Sequence, residues 1–357
     1  MTSLTAIAQS NTVLKQAPSA KKIFLAGVGA VGSTFLKQVS NQQSFRVLGV
    51  CNSKSVLWLD HSQTDFSIND LHRAPQKEWK SIIRKLASYE KESVIFVDAS
   101  GNGDVAELYP ELLSTGIHVV SPSKLANTQS QQKFDDLHST ARRNNVKFLY
   151  ETNVGAGLPV ISTLKNLIDS GDKIIEINGV VSGTMTYLFS QLDKGKSFSD
   201  TIIRARSLGY SEPDPRDDLS GEDVARKFLI LARTCGLRLE REQIVVESLI
   251  PRPLLNVDSS TFLNRLNEFD NEWKERLLDE KKKGNTLRYS GSMKDGEIRV
   301  GIQSVPVSSP AGNLTGTNNL IEIRTRRYLD QPLIIQGPGA GKEVTAAGVL
   351  ADVLKIV

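Results

Sequence analysis

Residues 21–39 read KKIFLAGVGAVGSTFLKQV, and the fold turns on how this stretch is read. From Lys22 to Ala26 the apolar residues Ile23, Phe24 and Leu25 form the short continuous run of a buried strand, which leads directly into a glycine cluster. A helix is expected from about Ala30 to Val39. Between the two, Gly27, Gly29 and Gly32 keep GxGxxG spacing, and each glycine has a mechanical reason there. The first permits a tight turn, the second lets the backbone approach a pyrophosphate, and the third allows helix and strand to pack closely. Ala30 and Val31 open the helix, whose free N–H groups and positive dipole end favour a phosphate. Without its flanking strand and helix the same spacing would be an ordinary glycine-rich turn.

Outward from this unit, Arg46 to Cys51 and Ser93 to Asp98 read as further strands, with Gly116 to Ser121 and Val146 to Tyr150 after them and helical stretches between. That alternation predicts an α/β protein whose residues 21–150 form a Rossmann-type, doubly wound parallel sheet that binds a dinucleotide. About twenty residues beyond the glycines, where an NAD enzyme carries an acid for the ribose hydroxyls, the second strand ends in Cys51, Asn52, Ser53 and Lys54. No carboxylate is present, and Ser53 and Lys54 can meet a 2′-phosphate. NADP is therefore favoured, with NAD as the alternative and a merely solvated Lys54 as the plainer reading of that lysine.

After Gly157 the pattern changes. A helix is expected from Pro159 to Ser170, then a strand in which Ile175, Ile177 and Gly179 alternate with Glu176, Asn178 and Val180, then a helix from near Thr184. A long amphipathic helix places Phe262, Leu266, Phe269, Trp273 and Leu277 on one face. Ile298, Val300 and Ile302, and later Ile321, Ile323 and Thr325, alternate with polar neighbours as half-buried, antiparallel strands do. Residues 151–336 are thus expected to form a second, α+β domain. Gly337 to Val357 reads as a Gly-Pro-Gly turn and a helix with Val344, Ala347, Ala351 and Leu354 on one face, packing back on the first domain.

Composition bounds the rest. A chain of 357 residues, 39% hydrophobic and 24% charged, has the length for two cores and the balance of an ordinary globular protein. The net charge of +4 is small, and its basic residues are interleaved with acids, so no nucleic-acid partner is expected. The run Lys281, Lys282, Lys283 before Gly284 reads as cations at a helix C-terminus. Cys51 and Cys235 lack the spacing of a zinc site or redox pair, and His61, His72, His118 and His138 are scattered. Residues 1–20 are polar, with no signal core or membrane span. They read as a flexible extension of a cytoplasmic protein.

The most specific stretch is GYSEPDPRDDLSGEDVARK, Gly209 to Lys227. Pro213 and Pro215 are expected to forbid helix and to hold Glu212, Asp214, Asp217 and Asp218 in an extended loop. Four carboxylates so close repel one another unless Arg216, a cation or a charged substrate offsets them, and a substrate ammonium would do so. A helix is expected to start at Ser220, capped by its hydroxyl with Asp223 in the capping-box position. Asp223 and Lys227, four apart, fall on one helix face in the order that favours an ion pair. Taken alone, that pair would be a surface salt bridge.

This stretch resembles the signature of homoserine dehydrogenases, and the resemblance extends over residues 21–357. It includes GVGAVG, SPSKLANT around Lys124, ETNVGAGLP from Glu151 to Pro159, SGTMTYLF from Ser182 to Phe189, and GPGAGKEVTAAGVLADVLK near the end. The resemblance implies hydride transfer between a nicotinamide and the aldehyde carbon of aspartate 4-semialdehyde, in threonine, methionine and isoleucine biosynthesis. It implies Lys227 as the acid-base that protonates the aldehyde oxygen on reduction, aided by Asp223 and Lys124. It implies Glu212, Asp218 and Asp223 around the substrate ammonium. Lys124, which by itself reads as a surface lysine, would sit between cofactor and substrate, and Ser100, Gly209 and Gly341 would touch the cofactor. Glu151, Val154, Ala156 and Leu158 match a monovalent-cation loop, for sodium or potassium, built mostly from backbone carbonyls. Dimerisation through the sheet of the second domain is implied as well.

The chain departs from the family pattern at Ser123, Leu125, Glu222 and Asn153, which touches cofactor contacts and spares the lysine with its carboxylates. Two rival readings are open. An aspartate-semialdehyde dehydrogenase would need a nucleophilic cysteine, which neither Cys51 nor Cys235 suits. A sensor of NADP(H) would not need the acidic loop with Lys227. Neither a kinase domain in front nor an appended regulatory domain is expected, and hence no threonine feedback through one.

Overall fold

The computed structural model describes residues 20–59 and 67–356. His61, Val357 and all but the last residue of the expected N-terminal extension lie outside them.

The first sheet contains β1 (Lys21–Ala26), β2 (Phe45–Cys51), β3 (Val56–Trp58), β4 (Val94–Asp98), β5 (His118–Val120) and β6 (Phe148–Leu149), in the order β3-β2-β1-β4-β5-β6. Its pairings are parallel apart from β3, which runs antiparallel to β2. β1 shows why its pattern was a continuous apolar run. Phe24 and Ala26 enter the core on one face, while Ile23 and Leu25 enter a separate core on the other, as expected of a strand covered on both sides. β3 was not anticipated: three residues are too few for a period to show. Asn52 makes it possible, its Oδ1 accepting from the backbone N–H of Lys54 at 2.8 Å and of Ser55 at 2.7 Å to turn the chain back.

The second sheet contains β7 (Ile174–Val180), β8 (Val245–Val246), β9 (Asn285–Lys294), β10 (Glu297–Pro306), β11 (Asn318–Thr325) and β12 (Leu333–Pro338), in the order β12-β11-β7-β9-β10-β8. It is antiparallel, as expected, except where β8 pairs parallel with β10. Helices Gly183–Leu192, Glu222–Thr234 and Asp270–Lys282 contact β9. Gly291 in β9 lets the 222–234 helix approach, since a Cβ there would lie 2.2 Å from the Phe228 ring.

Three expectations are corrected. The long helix through Phe262 and Leu277 is broken into Ser259–Arg265, a 3-10 turn Leu266–Phe269, and Asp270–Lys282. Its apolar face survives the break, with Phe262, Leu266 and Trp273 buried. Gly337 and Pro338 do not form a turn but end β12, paired with Asn319 and Asn318. The helix that follows, Lys342–Leu354, does pack on the first sheet, yet through Ala346, Val349 and Val353. Ala347 and Ala351 face outward and Leu354 is 44% exposed. Small residues on nearly every side left the phase of this helix open to misreading. Lys281 and Lys282 do occupy a last helical turn, ahead of Gly284 at φ +75°. No helix among the described residues is long and apolar enough to cross a membrane.

Candidate active site

The acidic stretch is more structured than its prolines imply. Pro215 does not break a helix but starts one, Pro215–Leu219, at the first position, where its missing N–H costs nothing. Asp214 caps it through the Arg216 N–H and is gripped by the Arg216 guanidinium, at 3.0 Å from Nε and 2.5 Å from Nη2. Arg216 also donates to the Val257 carbonyl. One of the four carboxylates is thereby offset within the protein.

The next helix is Glu222–Thr234, its N-cap one residue later than the expected Ser220. Its N-cap is Gly221 at φ +77°, a conformation that favours glycine, and a Cβ there would lie 1.9 Å from the Tyr289 hydroxyl. Ser220 still helps, since its hydroxyl accepts from the Glu222 N–H. Asp223 is not in a capping box. Its carboxylate is left for other partners.

Those partners are two lysines. Lys227 Nζ lies 2.7 Å from one Asp223 oxygen and Lys124 Nζ lies 3.1 Å from the other. Lys227 also donates to the Val181 carbonyl at 2.7 Å, and the buried Asn319 amide donates to that same carbonyl. Asp223 is 47% exposed and Lys227 only 11%. Burial alone would raise the Asp223 carboxyl, but the ammonium groups of Lys227 and Lys124 outweigh it and hold the carboxyl well below the usual range. Burial pushes the Lys227 amine down, against the support of Asp223, and Lys124 pushes in the same direction as burial. A buried lysine whose amine is pushed down in this way is suited to exchange a proton with a substrate.

Asp218 accepts from the Glu212 N–H at 2.8 Å. Burial raises its carboxyl, with Glu212 and Asp223 adding repulsion. Glu212 itself is exposed. Glu212, Asp218 and Asp223 therefore form an electrostatically linked set in which no arginine or lysine of the protein reaches Glu212 or Asp218 as an ion pair among the described residues.

A cavity of about 310 Å³ lies over the ends of β1, β2 and β4, lined by Gly27, Gly29, Asn52, Ser53 and Ser100 among the expected residues, together with His72, Lys77 and Trp79. The three glycines differ as the motif requires. Gly27 has φ +93°, Gly29 has no atom within 4 Å of where a Cβ would stand, and at Gly32 a Cβ would lie 1.9 Å from the Gly27 carbonyl oxygen. Helix Ala30–Val39 has no side-chain cap and no acid in its first turn, so its N–H groups are left for an anion. Buried Asp98 steadies the next loop, accepting from the Ser100 N–H at 2.8 Å and its hydroxyl at 2.5 Å. Ala30, Val31, Gly32, Lys54, Lys124, Gly209 and Gly341 do not line this cavity. Lys77 was invisible to motif reading. It arrives because residues 75–77 pair back along 54–56, with Lys77 N–H donating to the Lys54 carbonyl.

The Glu151 carboxylate is occupied: it caps helix Val160–Asp169 through the N–H groups of Ile161 and Ser162 and meets Lys355 at 3.2 Å. The Leu158 carbonyl accepts from Val160. The carbonyls of Val154 and Ala156, both buried residues, accept no hydrogen bond among the described residues, and Ala156 has φ +53°. No cluster of three or more His, Cys, Asp or Glu that could hold a metal occurs among the described residues. Any cation here would rest on backbone oxygens, as hard cations accept. Both cysteines are unpaired, and burial pushes each thiol up to about 12. Neither is a nucleophile at neutral pH.

Comparison with known proteins gives a consistent result. The family model described as homoserine dehydrogenase matches residues 159–354, and that described as homoserine dehydrogenase, NAD binding domain matches residues 27–151. A bifunctional aspartokinase/homoserine dehydrogenase of Haemophilus influenzae is 39% identical over 93% of this chain, which covers 42% of that protein. The chain thus spans about two fifths of the length of the curated relatives it matches. A Candida auris protein of unknown function has a crystal structure with TM-score 0.87 and 34% identity, covering 94% of this chain and 98% of that one. A hyperthermophilic archaeal homoserine dehydrogenase in complex with NADPH shares the fold at TM-score 0.73 and 24% identity, covering 94% and 97%.

Proposed function

Since the chain belongs to the homoserine dehydrogenase family, we propose that it interconverts L-aspartate 4-semialdehyde and L-homoserine, with NADP as the preferred cofactor. The observation that carries the reading is the buried Lys227 amine, 2.7 Å from Asp223, which is itself 3.1 Å from Lys124. When bound, the nicotinamide supplies or accepts the hydride at the carbonyl carbon. Lys227 gives its proton to the aldehyde oxygen as negative charge grows there, which completes the alcohol, and takes the proton back in the reverse direction. Asp223, with Glu212 and Asp218, holds the substrate ammonium and fixes the aldehyde against the lysine. Lys124 helps to align Asp223 and adds positive charge beside the forming alkoxide.

Residues 21–150 with the helix Lys342–Leu354 act as the nucleotide domain, and residues 151–338, which include β12, act as the substrate and dimer domain. NADP preference is supported by Ser53 and Lys77 in the cavity wall and by the absence of an acid among the described residues that line it. Lys77→Ala is expected to raise KM for NADPH about tenfold, the loss of one charge-assisted phosphate contact, and to leave KM for NADH unchanged. A monovalent cation at Glu151, Val154, Ala156 and Leu158 is supported by the Val154 and Ala156 carbonyls, which accept no hydrogen bond among the described residues. A homodimer is supported by the small and polar side chains of Asn178 and Gln303 on the second sheet. Unpaired cysteines agree with a cytoplasmic site of action.

Homoserine with NADP, followed by the absorbance of the reduced nicotinamide, tests the central claim. Turnover that disappears in Lys227→Ala while the circular dichroism is unchanged supports it. A wild-type chain inert in both directions overturns it.

A further inference from the structure

We propose that Arg233 is a positioning residue for this reaction: it fastens the loop that carries Lys124 to the helix that carries Asp223 and Lys227, and so keeps the three charged groups aligned between the two sheets. The proposal rests on the functional reading above.

Arg233 lies on helix Glu222–Thr234, six residues beyond Lys227, a rise of about 9 Å, and its side chain is 0% exposed. Burying a guanidinium is costly unless its donors are used, and here every nitrogen is engaged. Nη1 donates to the carbonyls of Asn127 at 2.9 Å and Gln129 at 2.7 Å. Nε and Nη2 donate to the Leu239 carbonyl, and Nη2 also meets Glu240 at 3.3 Å. The planar fork thus joins two chain segments, which Gln131 also links, its N–H donating to Glu240 at 2.9 Å and its side-chain oxygen accepting from the Leu239 N–H at 3.1 Å.

The first of those segments is the Lys124 loop. The Asn127 N–H and the Thr128 hydroxyl both donate to the Lys124 carbonyl, at 3.1 Å each. A pull on Asn127 and Gln129 is therefore a pull on Lys124. From the opposite side Asn127 Nδ2 donates to Asn153 Oδ1 at 2.9 Å, and Asn153 Nδ2 donates to the Ser121 carbonyl at 2.9 Å. Arg233 and Asn153 together pin the loop at both ends. Arg233 is too far along the helix to meet substrate, so its effect on chemistry must pass through Lys124.

If the clamp is released, Lys124 retreats from Asp223. The groups facing Lys227 are Asp223, Lys124, Asp218 and the Val181 carbonyl. With Lys124 withdrawn, the remaining neighbours favour the Lys227 ammonium, and the acid-base limb of the pH profile moves to higher pH.

The test is steady-state kinetics of the full chain carrying Arg233→Gln or Arg233→Lys, each also combined with Lys124→Ala. A small misalignment costs about 10- to 100-fold in kcat. That loss is expected for Arg233→Gln, with KM for NADPH unchanged and the pH limb raised, while Arg233→Lys recovers part of the rate. In the Lys124→Ala background neither substitution should have a further effect. Wild-type kcat and pH profile in Arg233→Gln, or losses that multiply in full with Lys124→Ala, overturn the proposal. Should thermal melting show that both Arg233 variants fail to fold, Asn153→Ala enters the same cycle: losses that fail to multiply support the clamp, and full multiplication overturns it. An inactive wild-type chain would instead defeat the functional reading beneath it.

Discussion

Asp223 sits between two lysines, and its removal has a signed consequence. Asp223→Asn deletes the carboxylate that favours the Lys227 ammonium while burial and Lys124 remain, so the Lys227 amine falls further. The limb of the pH–rate profile for homoserine oxidation, which rises as Lys227 deprotonates, is expected to move to lower pH, and KM for homoserine to rise. An unmoved limb in that variant would show that another group carries the proton. His118 is a second residue with a clear sign. Its Nδ1 accepts from the Lys147 N–H at 2.9 Å and its Nε2 donates to the Glu92 carbonyl at 3.0 Å, so a further ring proton has no acceptor. Burial pushes this imidazole down to about 4, from an unfolded value of 6.5. With the folded value the lower one, the contribution to stability is complete above pH 6.5 and is lost as the pH falls toward 4. His118→Gln is expected to flatten the fall of Tm across that window.

At the scale of elements, the turn between β1 and the first helix separates packing from binding. Gly29 has φ −70° and open space before it, so Gly29→Val should keep Tm and raise KM for the cofactor. Gly32→Ala drives a methyl into the Gly27 carbonyl and should cost about 1–3 kcal/mol of stability, read from urea unfolding. Equal effects in the two variants would contradict this division. That turn was legible because its meaning is local: strand, three glycines and helix are consecutive in the chain. The pairing of Asp223 with Lys227 was legible for the same reason, being one helical turn. Lys77, Asn319 and the Val181 carbonyl were not, because each is delivered by strand pairing between segments far apart in sequence. The register of helix Lys342–Leu354 was misread where small side chains make all faces look alike. The start at Pro215 was misread because proline breaks a helix from within and begins one from its first turn.

In the whole molecule, Lys124 comes from the loop after β5 in the first sheet, while Asp223 and Lys227 come from the helix beneath the second. The triad therefore exists only when the two sheets hold their mutual position, and catalysis should fail under mild denaturant before either sheet melts. Loss of activity at a lower urea concentration than loss of circular dichroism would bear this out, and coincident transitions would count against it. The helix Lys342–Leu354 raises the same issue in time. Its Ala346, Val349 and Val353 complete the core that Ile23 and Leu25 begin, yet they leave the ribosome more than three hundred positions later. At roughly 5–20 residues per second, a nascent β1 waits tens of seconds with one apolar side only partly covered, by Phe35 and Val39 of the first helix among others. During that interval the chain is a natural client for chaperones, and the arrival of the final helix acts as the latch that ends its vulnerability.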